Sequence, residues 1–110
     1  MNKQYAIKMH RELWTWLAKN PEKHKWNWLR WKFHGGTIDE VNADCFCCQY
    51  ASGIYGGCSA CPVIWPGGRC DHQDDTGLYD LYMIAGAEGD MKLRSEIALQ
   101  IANLPENEDA

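Results

Sequence analysis

Six cysteines fall between positions 45 and 70, and their spacing is the strongest chemical signal in the chain. The run reads Cys45-Phe46-Cys47-Cys48, then Cys58-Ser59-Ala60-Cys61-Pro62, then Cys70-Asp71-His72. It contains two Cys-x-x-Cys pairs, 45/48 and 58/61. Two intervening residues let both sulfurs of a tight turn face one ion at a Zn–S distance of about 2.3 Å, while amides of the turn donate to the sulfurs. The expected ligand set is therefore Cys45, Cys48, Cys58 and Cys61, holding one Zn²⁺. Cys70 or His72 can stand in for a member of either pair. Cys47, lying between two better-placed ligands, is expected to be the spare. Four thiolates make a closed site with no position for water, so the expected role of the metal is structural.

Two other uses of the thiols compete with zinc. Cys-x-x-Cys-Pro matches the end of a ferredoxin-type iron–sulfur motif, but the tight three-cysteine run of those motifs is absent. A disulfide framework would use all six cysteines and requires an oxidising compartment. The opening residues, Met1 to Glu12, hold charges every few positions and no apolar run of signal-peptide length. The expectation is a cytoplasmic chain with reduced thiols.

Catalytic patterns are weak. His10-Arg11-Glu12 with a later Cys-x-x-Cys resembles the nucleobase deaminase signature, yet that signature places Pro before the cysteine pair and here Pro62 follows it. Walker loop, Gly-x-Ser-x-Gly and His-Glu-x-x-His patterns do not occur. A redox Cys-x-x-Cys needs a strand–helix setting that glycines 53, 56 and 57 do not favour. No catalytic residue is expected.

The second signal is Lys23-His24-Lys25-Trp26-Asn27-Trp28-Leu29-Arg30-Trp31-Lys32-Phe33, where cations interleave with flat rings. Such a segment suits single-stranded nucleic acid, whose bases stack on aromatics while Lys and Arg track phosphates. Trp and Arg also anchor protein interfaces, and aromatic rings in a chain this short also fill cores. Read as a helix, the segment puts Trp26, Leu29 and Phe33 on one face and Trp28 and Trp31 on the other. The candidate binding surface is Trp28 and Trp31 with Lys25, Arg30 and Lys32. His24 and His34 are expected to be solvated.

These groups need elements to hold them. At 110 residues the chain has the size of one domain. Placing residues 100° apart over 3–19 gives a wide apolar arc containing Tyr5, Ala6, Ile7, Met9, Leu13, Trp14, Trp16 and Leu17, which predicts a helix with two neighbours. Asn20-Pro21-Glu22 reads as its stop and as the cap of a second helix reaching Phe33. Glycines limit residues 37–75 to short strands or turns. A short helix is predicted over 77–87, and Gly89-Asp90 opens a last one carrying Leu93, Ile97, Ile101 and Leu104. The acidic tail 105–110 is expected to fray. The fold class these readings give is α+β, with helices at both ends of a zinc-ribbon- or knuckle-like centre.

Charge is segregated along the chain. Residues 1–36 carry about +6 and residues 37–110 about −10. That split suits either a basic face for an anionic partner or two halves that attract each other. No stretch reaches the ~20 apolar residues of a membrane span.

The chain also resembles a group of small Cys- and Trp-rich proteins encoded by phages and prophages of Gram-positive bacteria. The residues that carry the likeness are His10-Arg-Glu-Leu-Trp-Thr-Trp-Leu17, Cys45-Phe-Cys-Cys-Gln-Tyr-Ala51, Cys58-Ser-Ala-Cys-Pro-Val-Ile-Trp65, Cys70 and Ala98-Leu-Gln-Ile-Ala-Asn-Leu-Pro105. The resemblance implies metal ligands at Cys45, Cys48, Cys58, Cys61 and Cys70, with Cys47 outside the pattern. It implies a phage accessory factor acting on host or phage machinery, and no enzymatic activity. Together these readings predict a non-enzymatic zinc-binding protein that docks on a host protein, with a nucleic-acid-binding module as the alternative.

Overall fold

The computed structural model describes residues 1–41, 44–53, 60–68 and 77–110. Four α-helices account for most of its regular structure: α1 (Lys3–Lys19), α2 (Phe46–Gly53), α3 (Leu78–Ala87) and α4 (Met91–Ala102). Among the described residues, β-type pairing is confined to two isolated bridges, Trp31 with Ile38 and Val63 with Glu106. The expected α+β class is thereby corrected: the described residues are mostly helical and form no sheet. Part of the error lay in the cysteine region, where α2 replaces the expected strands or turns.

α1 covers the residues on which the apolar arc was read. Asn2 caps it by accepting from the Tyr5 amide at 2.7 Å, the bond an N-cap side chain is placed to make. Its apolar side meets α4, which α3 also packs against, and α2. The two-neighbour contact demanded by the wide arc is thus met. Trp14 sits edge-on to Tyr82 of α3 at 4.9 Å, a geometry that adds about 1 kcal/mol beyond burial. Asp90 caps α4 through the Leu93 amide at 3.1 Å.

The second helix predicted from Glu22 to Phe33 does not form. Two short 3-10 turns, Lys25–Asn27 and Lys32–His34, stand in its place. Trp28 and Trp31 both adopt extended backbone between them. Both indoles turn inward, so the side expected to face a partner is the one that is buried. Trp31 packs flat on Phe46 at 5.5 Å and edge-on to Trp28 at 5.2 Å. Its ring N–H donates to the Lys25 carbonyl at 2.9 Å, so the buried indole keeps no unpaired donor. Ile38 donates to Arg30 and accepts from Lys32, closing the loop. Gly36 permits this closure: a Cβ there would lie 2.2 Å from the Arg30 carbonyl oxygen.

Phe46, the first residue of α2, is wedged between these indoles and is 1% exposed. It pins the start of α2 against the core and so fixes where Cys45, Cys47 and Cys48 stand. The Cys61 segment is held from the other side. Ile64 donates to Pro105 at 2.8 Å, Asn107 donates to Pro62 at 2.8 Å, and the Asn107 amide side chain reaches the Cys61 carbonyl at 3.0 Å. The tail expected to fray is a clasp on the cysteine region instead. Lys3 and Gln4 add to it by meeting Glu106, joining the basic front of the chain to its acidic end.

Candidate functional site

Four free cysteines lie among the described residues, on two segments. Cys45 lies immediately before α2, and its sulfur accepts the Cys48 amide at 3.3 Å. This is the amide-to-sulfur turn expected of a Cys-x-x-Cys metal pair. The Cys48 thiol, the largest influence on Cys45, lowers the Cys45 pKa to about 6. The Cys48 and Cys47 amides and Lys25 add to that pull against a burial effect that opposes it. Cys61 is lowered to about 7, first by a hydrogen bond from the Cys47 thiol and then by the Val63 amide and the Trp65 ring N–H. Cys47 moves the other way, because it is the donor to Cys61 and is buried.

Cys47 is therefore not idle. The sequence marked it as the spare cysteine, whereas the fold turns it inward from α2 onto Cys61. Trp65 and Asn107 were missed altogether, since nothing in their spacing links them to Cys61. Of the expected ligands, Cys45, Cys48 and Cys61 lie among the described residues. Cys58, Cys70 and His72 lie outside them. Among the described residues no three His, Cys, Asp or Glu side chains form a group that could hold a metal ion. The donor chemistry still suits a soft cation: two sulfurs are poised to lose their protons, and each receives an amide. What the described residues provide is two halves of a thiolate site, at the start of α2 and at Cys61.

The other candidate surface is inverted relative to its prediction. Trp28 is 2% exposed and Trp31 is not exposed at all, so neither can meet a partner. Lys25 lies over the Tyr79 ring at 4.7 Å. Arg30 pairs with Glu12 and stacks on Trp28, and Lys32 pairs with Asp39 at 2.7 Å. The residues left outside are Trp26 at 51%, Leu29 at 68% and Phe33 at 54% exposure. The histidines beside them are engaged rather than merely solvated. His24 stacks on Trp26 at 4.4 Å, and the His34 ring lies 2.8 Å from the Trp26 carbonyl.

The deaminase-like residues take no catalytic arrangement. His10 is buried, with Nε2 2.9 Å from the Ile101 carbonyl oxygen, and burial lowers its pKa to about 4. Glu12 is the partner of Arg30.

No helix among the described residues is long and apolar enough to cross a membrane. Comparison of the chain with protein-family models, with curated proteins and with solved structures gives no match.

Proposed function

We propose that this protein is a non-enzymatic interaction module: a helical platform stapled by a structural zinc ion, which docks on another protein through Trp26, Leu29 and Phe33. The observation that carries this reading is the sorting of one aromatic segment. Trp28 and Trp31 are spent on the core, while three large apolar side chains within eight residues remain half or more exposed. Exposed apolar side chains in such concentration mark interaction surfaces, and Trp is the residue type that most often anchors them.

Zinc would be held by thiolates drawn from Cys45, Cys48 and Cys61, completed from Cys58, Cys70 or His72. Its contribution would be to tie α2 to the Cys61 segment. Cys47, as a neighbouring thiol, would donate to Cys61 and strengthen that tie. The resemblance to phage-encoded proteins makes a host protein the intended partner. Nucleic acid is the weaker reading, because its two expected stacking rings are buried and Arg30 and Lys32 are neutralised by acids.

The test compares capture of partners from host extract by the native chain and by a Trp26→Ser, Phe33→Ser double variant, with helix content checked by circular dichroism. A partner held by the native chain and lost by the folded variant supports docking through this face. A partner held equally by both overturns it. Binding of single strands that weakens steeply with salt would place the nucleic-acid reading ahead.

A further inference from the structure

One histidine connects a buried cation to the exposed indole of Trp26. Arg94 of α4 is 3% exposed. Its Nη1 donates to the Pro21 and Lys23 carbonyls at 2.6 and 3.2 Å, and its Nη2 reaches His24 Nδ1 at 3.5 Å. No carboxylate among the described residues forms an ion pair with Arg94. The His24 ring in turn lies flat on the Trp26 indole, with centroids 4.4 Å apart and planes 8° from parallel.

A guanidinium carries donors and no acceptor. His24 Nδ1 can therefore meet Nη2 only as a lone pair, with the ring neutral and its proton on Nε2. A second proton would set N–H against N–H and bring two cations together, where like charges oppose each other. The imidazolium must then swing away from Arg94. Its backbone stays in place, because the His24 amide donates to Asn27 Oδ1 at 2.9 Å. The ring thus moves by side-chain rotation, and the flat contact with the indole is lost.

Arg94 and Glu22 are the charged residues that line the cavity beside His24. α3 contributes Met83, Gly86 and Ala87 to that wall and α4 adds Met91, none of which titrates. Glu22 is exposed, so its attraction for an imidazolium is screened. Tyr82, under the Arg94 guanidinium, stays neutral because burial raises its pKa to about 12. Of the adjoining lysines, Lys23 is exposed and Lys25 lies over the Tyr79 ring. Burial first, and then Arg94, lowers the His24 pKa. His34 behaves differently. Its Nε2 lies 2.8 Å from the Trp26 carbonyl oxygen, an acceptor to which both the neutral and the charged ring donate. It fixes the Trp26 backbone whatever its own charge.

We infer that His24 is a proton-operated support for the Trp26 anchor: neutral, it is held by Arg94 and steadies the indole for docking; protonated, it releases the indole. The inference rests on the reading of Trp26 as a docking residue. Partner binding is then full above the ordinary histidine value of 6.5 and weakens as pH falls below it. The loss should be about fivefold, the worth of one aromatic stack.

The test follows the full chain by NMR from about pH 7.5 to about pH 5, with no partner present, through the His24 ring protons and the cross-relaxation between the His24 and Trp26 rings. The ring contact should fade in step with His24 protonation. The buried Trp31 indole N–H, bonded to the Lys25 carbonyl, should stay unchanged and reports the fold. In His24→Phe, which keeps a flat ring without a titrating nitrogen, the contact with Trp26 should persist to about pH 5. His34→Gln keeps a donor for the Trp26 carbonyl and should still lose the contact as His24 titrates. A ring contact that survives His24 protonation in the native chain, or one that folded His24→Phe loses over the same range, would overturn the inference. Capture from host extract separates gating from docking. No capture at pH 7.5 overturns the docking reading and the gating with it, whereas equal capture at pH 7.5 and pH 5 by folded protein overturns the gating alone.

Discussion

The Cys47 thiol of α2 acts on the Cys61 sulfur, lowering the Cys61 pKa to about 7 while its own moves upward. Cys47 thus links α2 electrostatically to a segment whose other side is clasped by Asn107. The cysteine region is thus anchored from the core by Phe46 and from the chain end by the 105–107 tail, with the thiols between.

This relationship sets thiol reactivity. In metal-free, reduced protein, Cys47→Ala removes the donor that lowers Cys61, whose pKa should return toward the ordinary thiol range. Alkylation of Cys61 at pH 7 should slow about tenfold, as its thiolate fraction falls. Site-resolved mass spectrometry of iodoacetamide labelling measures it. An unchanged rate would show that Cys47 does not act on Cys61.

Acid sensitivity should come from His10. Its ring takes a proton at about 4 when folded and near 6.5 when exposed, so the unfolded chain binds the extra proton between those values. Stability is held above pH 6.5 and lost as pH falls toward 4, by about 3 kcal/mol at about 1.4 kcal/mol per pH unit. Cys45 and Cys61 act in the same direction at higher pH. Their lowered values favour the fold in full above the ordinary thiol value of 9, and that contribution is lost as pH falls through 7 and 6. Urea unfolding across pH 7 to 4, compared between the native chain and His10→Gln, separates the two; a native chain with flat stability from pH 6 to 4.5 would contradict the assignment.

The two sets of aromatics should separate stability from binding. Trp31→Ala should cost about 4 kcal/mol, in the range for large buried aromatics. Trp26→Ala should change stability by no more than about half a kcal/mol, as exposed substitutions do. Chemical denaturation of both variants makes the comparison.

Gly36→Ala should destabilise the 31–38 loop by about 2 kcal/mol, because the added methyl meets the Arg30 carbonyl and the loop must open. Loss of the Trp31–Ile38 pairing would appear as faster amide exchange at Lys32 and Ile38.

How far the sequence foretold this depends on the element. α1 was legible because a wide apolar arc sustained over a seventeen-residue helix leaves no other reading, and α4 because Asp90 is a strong cap before Ile97 and Ile101. The 22–34 segment was legible in grouping and wrong in sense. Periodicity separated Trp26, Leu29 and Phe33 from Trp28 and Trp31, but burial was decided by Phe46, which is distant in sequence. α2 was hidden because Cys-Phe-Cys-Cys reads as a metal turn, while Phe46 makes it the first turn of a core helix. The tail was misread because its bonds with Pro62 and Ile64 use backbone groups, which carry no residue signature, and because the Asn107 side chain meets Cys61 across 46 residues of sequence. Cys58, Cys70 and His72 fall outside the described residues.

The central claim, a zinc-stapled platform, is tested most directly by weighing the freshly purified protein under native conditions alongside elemental analysis for zinc and iron. The account predicts one zinc per chain, lost in Cys45→Ser and in Cys61→Ser, with a collapse of thermal stability when zinc is chelated. A metal-free mass with fully reactive thiols and an unchanged melting temperature in chelator would contradict it, and so would iron with sulfide.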